Sequence, residues 1–156
     1  MSQWRNRVKS AAGNPAWIAF NWFGLTAGIS LLATPVRFGV ESLTRPVALD
    51  VARVIFGALN KAELVALVLL LVVVRVSGRA RQWWAVVSAL ALIVLAQSTW
   101  LLPELSDRTD LVIAGIEPPP SYAHAIYSTL ELCKLLLLAL IGFRSLGAAD
   151  AAQGSA

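Results

Sequence analysis

Two apolar stretches of the sequence, residues 51–76 and 122–143, are each long enough to cross a lipid bilayer as a helix. About twenty consecutive, mainly apolar residues are needed for one such span. Only helices and closed barrels cross a bilayer, because lipid offers no partner for backbone polar groups. The composition agrees with a membrane protein, since 58% of the residues are hydrophobic and only 14% are charged. We therefore predict an all-α protein, an integral membrane helical bundle.

Two further apolar stretches bring the number of predicted spans to four. The first opens after a cap-then-proline arrangement at residues 14–15, which favours a helix start. Pro35 closes it, or kinks it if the helix continues. The third opens at a tryptophan pair, residues 83–84, of the kind that anchors helices at the membrane interface, and it ends before Pro103. We thus predict a four-helix bundle. The predicted helices cover about residues 15–34, 46–76, 82–102 and 121–143. Together they form one transmembrane domain at 15–146. A tail at 1–14 precedes this domain, and a disordered tail at 147–156 follows it.

The distribution of lysine and arginine predicts how the bundle is oriented. Around the spans, seven such residues fall on the side of the two termini and four on the other side. Cytoplasmic loops carry the excess of positive charge. The sequence therefore predicts a protein of an inner membrane of bacterial type, with both termini in the cytoplasm and the acidic 103–121 connection outside. The net charge of +4 then reflects topology, and we expect the lipid bilayer, not nucleic acid, as its partner.

Ionisable side chains interrupt the fourth apolar stretch. His124, Tyr127, Glu131 and Lys134 follow each other at spacings of three, four and three residues, which places them on one face of a helix. A charged side chain at the bilayer centre costs about 2.5–3.5 kcal/mol, so such residues are functional candidates. Because lipid cannot pair them, this face is expected to meet protein or water.

The second apolar stretch carries a matching set. Arg53, Asn60 and Glu63 share one face of the predicted helix, whereas Lys61 lies off that face. Helices 2 and 4 run in the same direction in a four-span bundle, so equal depth sets Glu63 level with Lys134. The sequence predicts a polar seam between these two helices. Its candidate residues for binding a substrate or an ion are Asn60, Lys61, Glu63, His124, Tyr127, Glu131 and Lys134.

The two halves of the sequence share a layout. A shift of 71 residues superposes Ala52 on Ala123 and Leu67 on Leu138. The predicted helices 1 and 3 each end in a proline followed by a polar connection. This pattern is compatible with a duplicated helical hairpin, a parallel repeat whose halves meet along the polar seam.

Motifs for the common soluble chemistries are missing from the sequence. It has no Gly-rich phosphate loop, no HExxH and no GxSxG. The single Cys133 excludes an internal disulfide and a CxxC site. One histidine without further ligands predicts no haem or metal site within the chain. We expect a protein that is not an enzyme and that binds no cofactor.

The residues leave two functional hypotheses open. In the first, the protein is a small transporter or channel, and the glutamates and Lys134 of the seam handle protons or a small ion together with His124. In the second, it is a non-catalytic membrane subunit or scaffold whose polar stripe binds a partner helix, and the seam holds an ion pair that fixes helix register. Four helices are few for an alternating-access carrier, so both hypotheses predict a homo-oligomer or a larger membrane complex. A Gly-x-x-x-Gly pattern at residues 24–28 predicts close helix packing.

Four short runs carry a resemblance to a known family. They are the stretch from Pro35 to Phe38, ARVIFGALNKAE at the start of helix 2, LLPELSDR after helix 3 and YAHAIYSTLELCK at the start of helix 4. The runs resemble the small four-helix membrane proteins around eukaryotic transmembrane protein two-zero-five, whose bacterial relatives form a domain of unknown function. Over residues 17–146 the resemblance implies a four-helix fold in a membrane, and it implies no reaction. His124 with Glu131 seven positions on is the best match, whereas residues 60–61 stand where the family tends toward a histidine.

Overall fold

The computed structural model of the protein describes residues 14–76 and 80–154. The described chain forms four helices. Each contains a stretch that is long and apolar enough to cross a membrane, which confirms the all-α membrane bundle. The helices are α1 (Ala16–Phe38), α2 (Arg45–Val76), α3 (Ala80–Ala96 continued by Gln97–Leu101 and Leu102–Ile113) and α4 (Ala123–Gly154).

The helices α1 and α3 both continue through the prolines that the sequence predicts as their ends. Pro35 and Pro103 lie within helix. The predicted ends at residues 34 and 102 are therefore wrong, and at Pro35 the alternative of a continued helix applies. A proline lacks an N–H group, and its ring clashes with the carbonyl group four residues earlier. In both helices a π-helical stretch comes just before the proline, Gly28–Ala33 in α1 and Gln97–Leu101 in α3. The wider turn shifts the hydrogen-bond pattern to i→i+5, which relieves the conflict without ending the helix.

The connection between α3 and α4 is shorter than the sequence predicts. Because α3 runs on to Ile113, the connection begins at residue 114 instead of 103 and ends at residue 122. Its turn is made at Gly115, whose φ of 75° is a conformation that suits glycine. An ion pair of 3.8 Å joins Glu117 to Arg45 at the start of α2. We call this end of the bundle, with residues 39–44 and 114–122, the connection end.

The last helix is longer than predicted at its C-terminal end. α4 covers Ala123–Gly154, so the predicted disordered tail is wrong for residues 147–154, whose alanine-rich sequence favours helix. Residues 155–156, and residues 1–13 of the tail predicted at 1–14, lie outside the described residues. Asn14 Nδ2 donates a hydrogen bond of 3.4 Å to the carbonyl oxygen of Ser145. The start of α1 and the end of α4 therefore meet at one end of the bundle, which we call the termini end.

Two apolar clusters stabilise the bundle, and a polar layer lies between them. The cluster towards the termini end contains Ala19, Trp22, Leu67, Leu70, Val74, Trp83, Val87, Leu90, Val94, Leu138 and Ile141. The cluster towards the connection end contains Leu101, Ala123 and Tyr127. The buried polar side chains between them are Thr26, Glu63, Gln97, Glu131 and Lys134.

Glycines play two different roles on α1 and α4. A Cβ atom at Gly142 would lie 2.6 Å from the ring of Phe20, so this glycine lets α4 approach α1. The Gly-x-x-x-Gly pattern behaves differently, because a Cβ atom at Gly24 or Gly28 would meet nothing within 4 Å. The predicted close packing of residues 24–28 is therefore wrong within a single chain, and this face of α1 is open.

Candidate functional site

A buried ion cluster joins α2 to α4. Lys134 Nζ lies 2.6 Å from Glu63 Oε1 and 2.7 Å from Glu131 Oε2. The side chains are 0%, 1% and 4% exposed for Lys134, Glu63 and Glu131 respectively. The prediction that Glu63 and Lys134 share one depth on parallel helices is confirmed. We call these three residues the charge cluster.

The helix α1 closes the charge cluster on one side with three hydrogen-bond donors. Trp22 Nε1 and Thr26 Oγ1 donate to Glu63 Oε1 at 3.0 and 2.8 Å. One turn further on, Ser30 Oγ donates to Glu131 Oε1 at 2.7 Å. Residues 22, 26 and 30 recur every four positions, so they line one face of the helix. This spacing is the signal in the sequence that could have identified them, but tryptophan and single hydroxyls in an apolar helix also occur without such a role.

The helix α3 contributes a side chain that hydrogen-bonds to both a carboxylate and the ammonium group of the charge cluster. Gln97 Nε2 donates to Glu131 Oε2 at 2.8 Å, and Gln97 Oε1 accepts from Lys134 Nζ at 2.9 Å. The amide is fully buried. It lies in the π-helical stretch of α3, a feature that is frequent at functional sites. The charge cluster is thereby bound by all four helices.

The charges of the cluster do not balance. It holds two carboxyl groups and one ammonium group, so it carries a net charge of −1 when both glutamates are ionised. Glu63 Oε2 is buried and has no hydrogen-bond partner among the described residues. A buried uncompensated charge costs several kcal/mol. One bound proton on either carboxyl group would make the cluster neutral.

A cavity of about 530 Å³ leads from the connection end to the charge cluster. Glu131 lines the cavity, whereas Glu63 and Lys134 do not. Ser30, which binds the Oε1 atom of Glu131, also lines it. Glu131 therefore has one oxygen atom on the cavity side and the other against Lys134 and Gln97. The remaining lining residues are Leu31, Thr34, Arg37, Phe38, Leu49, Ala52, Arg53, Phe56, Gly57, Ser98, Leu102, Pro103, Leu105, Ser106, Thr109, His124, Tyr127, Ser128 and Leu132.

The other predicted site residues fall into three positions. His124 and Tyr127 line the cavity; His124 is exposed, and the buried ring of Tyr127 packs edge to face on Phe56 with 5.6 Å between centroids. Asn60 is buried and exchanges hydrogen bonds of 2.8 and 3.0 Å with Ser98 of α3. Lys61 is exposed, so the structure does not bring it to the charge cluster.

Two arginines of the cavity wall differ in their partners. Arg53 forms ion pairs with Asp50 and Asp110. Arg37 is only 9% exposed, and its Nε and Nη2 atoms are buried without a hydrogen-bond partner among the described residues. Its guanidinium carbon lies 4.9 Å from the ring centroid of Phe38. The burial of Arg37 could not be predicted from the sequence, because spacing does not show whether an arginine near a helix end is buried.

Ligands for a metal ion do not come together in the described part of the chain. No group of three or more His, Cys, Asp or Glu residues between 14 and 154, leaving out 77–79, is placed to hold a metal ion. Cys133 is exposed on α4, away from the charge cluster. The charge cluster itself presents carboxyl, ammonium, amide and hydroxyl groups.

Comparison with known proteins gives the family. No protein with a curated description and no solved structure matches the chain, and no match supports a specific relation to transmembrane protein two-zero-five. One family model matches residues 17–109, which is more than half of the 156 residues. The matched segment includes Glu63 and Gln97 but ends before Glu131 and Lys134. With its four membrane-spanning helices, the chain belongs to the family described as Domain of unknown function (DUF4149).

Proposed function

We propose that this protein moves protons, or a small ion linked to protons, across the membrane through the charge cluster. The observation that carries the proposal is the position of Glu131. Its Oε1 atom binds Ser30 in the cavity wall, and its Oε2 atom binds Lys134 and Gln97 in the closed cluster. A carboxyl group in this position can exchange a proton with the cavity and so change the charge of the whole cluster, although Glu63 and Lys134 do not line the cavity.

The charge balance of the cluster gives this exchange a driving force. With two carboxyl groups and one lysine, the cluster is neutral when it holds one proton and carries −1 when it holds none. In a water-poor interior the two states differ strongly in solvation. Loss of the proton would therefore favour a rearrangement that pairs or hydrates the free carboxylate. The Oε2 atom of Glu63, which has no hydrogen-bond partner among the described residues, would acquire one in such a rearrangement.

Access to the cluster is asymmetric in this conformation. The cavity opens towards the connection end, while the larger apolar cluster, with Trp22 and Leu70, fills the half towards the termini end. Transport then requires a second conformation in which the termini end opens. We infer that both termini lie in the cytoplasm of a bacterial-type inner membrane, so that the cavity faces outside.

An oligomer would supply a second surface against which the helices could move when the termini end opens. Four helices form a small bundle, and the face of α1 at Gly24 and Gly28 is open. Small residues spaced in this way let two membrane helices approach closely. We propose a homo-oligomer in which this face of α1 packs against a second copy.

A structural role for the cluster is the second candidate function. The hydrogen bonds of the cluster reach all four helices, so the cluster could serve to fix their register in a non-catalytic membrane subunit. In this case the polar stripe would not bind a partner helix, because Glu63, Glu131 and Lys134 are buried and pair with each other within one chain. A partner would have to use the lipid-facing surfaces.

Proton flux in proteoliposomes separates the two functions. Purified protein is reconstituted with a pH-sensitive dye inside the vesicles, and a pH gradient is applied. We expect flux that Glu131→Gln abolishes and that His124→Ala and Ser30→Ala slow. Glu41→Gln is the matched control, because Glu41 is exposed in the connection between α1 and α2.

The result that contradicts transport is equally specific. If the wild-type protein shows no flux under any pH or ion gradient, and Glu131→Gln lowers only thermal stability, the structural role takes the place of transport. Thermal unfolding of each variant in detergent, measured beside the flux, distinguishes a lost pathway from a lost fold.

A further inference from the structure

The cavity wall holds a positive charge without an anionic partner among the described residues. Arg37 is 9% exposed, and within the part of the chain that the structure describes its Nε and Nη2 atoms have no hydrogen-bond partner and its side chain forms no ion pair. Its neighbour in the wall, Arg53, is already paired with two aspartates. A guanidinium group that is buried without an anion is costly, and its planar set of donors fits a carboxylate or a phosphate group.

The rest of the cavity wall is mainly apolar. Leu31, Leu49, Phe56, Leu102 and Leu132 contribute much of it. A volume of about 530 Å³ lies within the roughly 300–1,000 Å³ of cavities that bind small organic molecules. The chemistry of the wall therefore fits a molecule with one acidic head and an apolar body.

The length of the body follows from the position of Arg37 on α1. Ser30, which marks the inner end of the cavity beside Glu131, lies seven residues before Arg37 on the same helix. At about 1.5 Å per residue, this separation is roughly 10 Å. A head group on Arg37 thus leaves room for a body of that length before the molecule reaches Glu131. Because Glu131 is acidic, the inner end of the molecule should carry no second negative charge.

We propose that the cavity binds an amphipathic monoanion, with its acidic head on Arg37 and its apolar body between α1, α2, α3 and α4. The molecule is either a free apolar acid or the head and upper acyl chain of an anionic lipid, and both present the same chemistry to Arg37. This inference goes beyond the proposed function, because it names a ligand of the cavity and not the proton or small ion that is moved. Its test measures binding alone, so that the two can fail separately.

Binding is measured on the purified protein in a non-ionic detergent by calorimetric titration. Decanoate is the probe, and decanol is the control that has the same body without the charge. We expect decanoate to bind about tenfold more tightly or better, the effect of at least one charge-assisted hydrogen bond. Equal affinity for the two probes, together with no Arg37-dependent preference for an anionic lipid, would overturn the proposal.

Variants of the arginines assign the effect to one side chain. Arg37→Gln should remove the preference for decanoate, and Arg37→Lys should keep part of it. Arg45→Gln is the matched control, because Arg45 is exposed at the connection end, and it should leave the preference unchanged. If Arg37→Gln still prefers decanoate as strongly as the wild type, Arg37 is not the head-group site and the proposal fails.

Two further measurements remove the remaining ambiguities. Dioctanoyl phosphatidylglycerol and dioctanoyl phosphatidylcholine are titrated in the same way; an Arg37-dependent preference for the glycerol lipid without binding of decanoate would make a lipid the source of the anion. Thermal unfolding without any ligand should be nearly the same for Arg37→Gln and the wild type. A large loss of stability would show instead that Arg37 serves the fold, which contradicts the proposal.

Discussion

Replacing Lys134 should be far more damaging than replacing either of its partners. In Lys134→Met, two buried carboxyl groups lose their shared cation, and Gln97 Oε1 loses its donor. Breaking a buried ion pair from one side costs about 3–5 kcal/mol. Each carboxyl group can escape by taking up a proton, which costs at most about 4 kcal/mol at pH 7 for a group with an ordinary pKa. We expect a loss of about 4 kcal/mol in the free energy of unfolding.

Replacing Glu63 should cost much less, because the cluster has a spare negative charge. Glu63→Gln keeps an oxygen atom that accepts from Trp22 and Thr26, and it leaves Lys134 paired with Glu131 at a net charge of zero. The loss should be about 1 kcal/mol, the size of one modified hydrogen bond. The double variant Glu63→Gln/Lys134→Met should fall between the two single variants, since only one carboxyl group then remains without a cation.

Reversible unfolding in mixed detergent micelles, followed by tryptophan fluorescence, measures these differences. Lys61→Met is the matched control, because Lys61 is exposed on α2 and should change stability by less than about 0.5 kcal/mol. The loss in Lys134→Met should shrink as the pH falls from 8 to 5, because each pH unit lowers the cost of protonating a carboxyl group by about 1.4 kcal/mol. If Lys134→Met is no worse than Lys61→Met, or if the two single losses add without coupling, the cluster does not act as one unit.

Three further predictions test the membrane arrangement and the packing. Cysteines are placed by Val76→Cys and Ile116→Cys in a cysteine-free background. They should be labelled from opposite sides of the membrane, because α2 ends at one face and residue 116 lies in the connection at the other. Labelling of both from one side would contradict the four spans. Gly142→Ala should destabilise the protein by about 1–3 kcal/mol through overpacking against Phe20. A second change, Phe20→Leu, should restore part of the lost stability. If it restores none, the loss has another cause. Gly28→Leu should disperse an oligomer without lowering monomer stability, since a Cβ atom there meets nothing within 4 Å; an oligomer that survives this change packs through another face.

The parts of the site that carry full charges could be predicted from the sequence. Glutamate and lysine are conspicuous in an apolar stretch, and their helical spacing fixes which face they share. Parallel helices of similar length then set Glu63 level with Lys134, and the distance of 2.6 Å confirms this pairing. Lys61, on the other side of α2, is exposed, in agreement with its place off the polar face.

The neutral partners of the cluster could not be predicted in the same way. Trp22, Thr26 and Ser30 are ordinary residues of an apolar helix, and only their contacts with the glutamates give them a role. The sequence does not decide the rotation of α1 about its axis, because Gly24 and Gly28 suggest packing on one face and residues 22, 26 and 30 on another. The structure resolves the conflict in favour of the polar face.

The helices α1 and α3 share a π-helical stretch before a proline, a feature that a duplicated helical hairpin would explain. In α1 and α3, a stretch of five or six π-helical residues ends two positions before a proline that remains within the helix. Each stretch delivers a polar side chain to Glu131, Ser30 from α1 and Gln97 from α3. A duplicated hairpin would produce this arrangement, since one ancestral kink would appear twice around a shared centre. The shift of 71 residues sets position 131 of α4 on position 60 of α2, and position 134 on position 63. If the hairpin is duplicated, these are positions at which the two copies would have diverged. Two identical helices would place like charges opposite each other, so a lysine at 134 opposite Glu63 would be the difference that lets the two halves share one buried cluster.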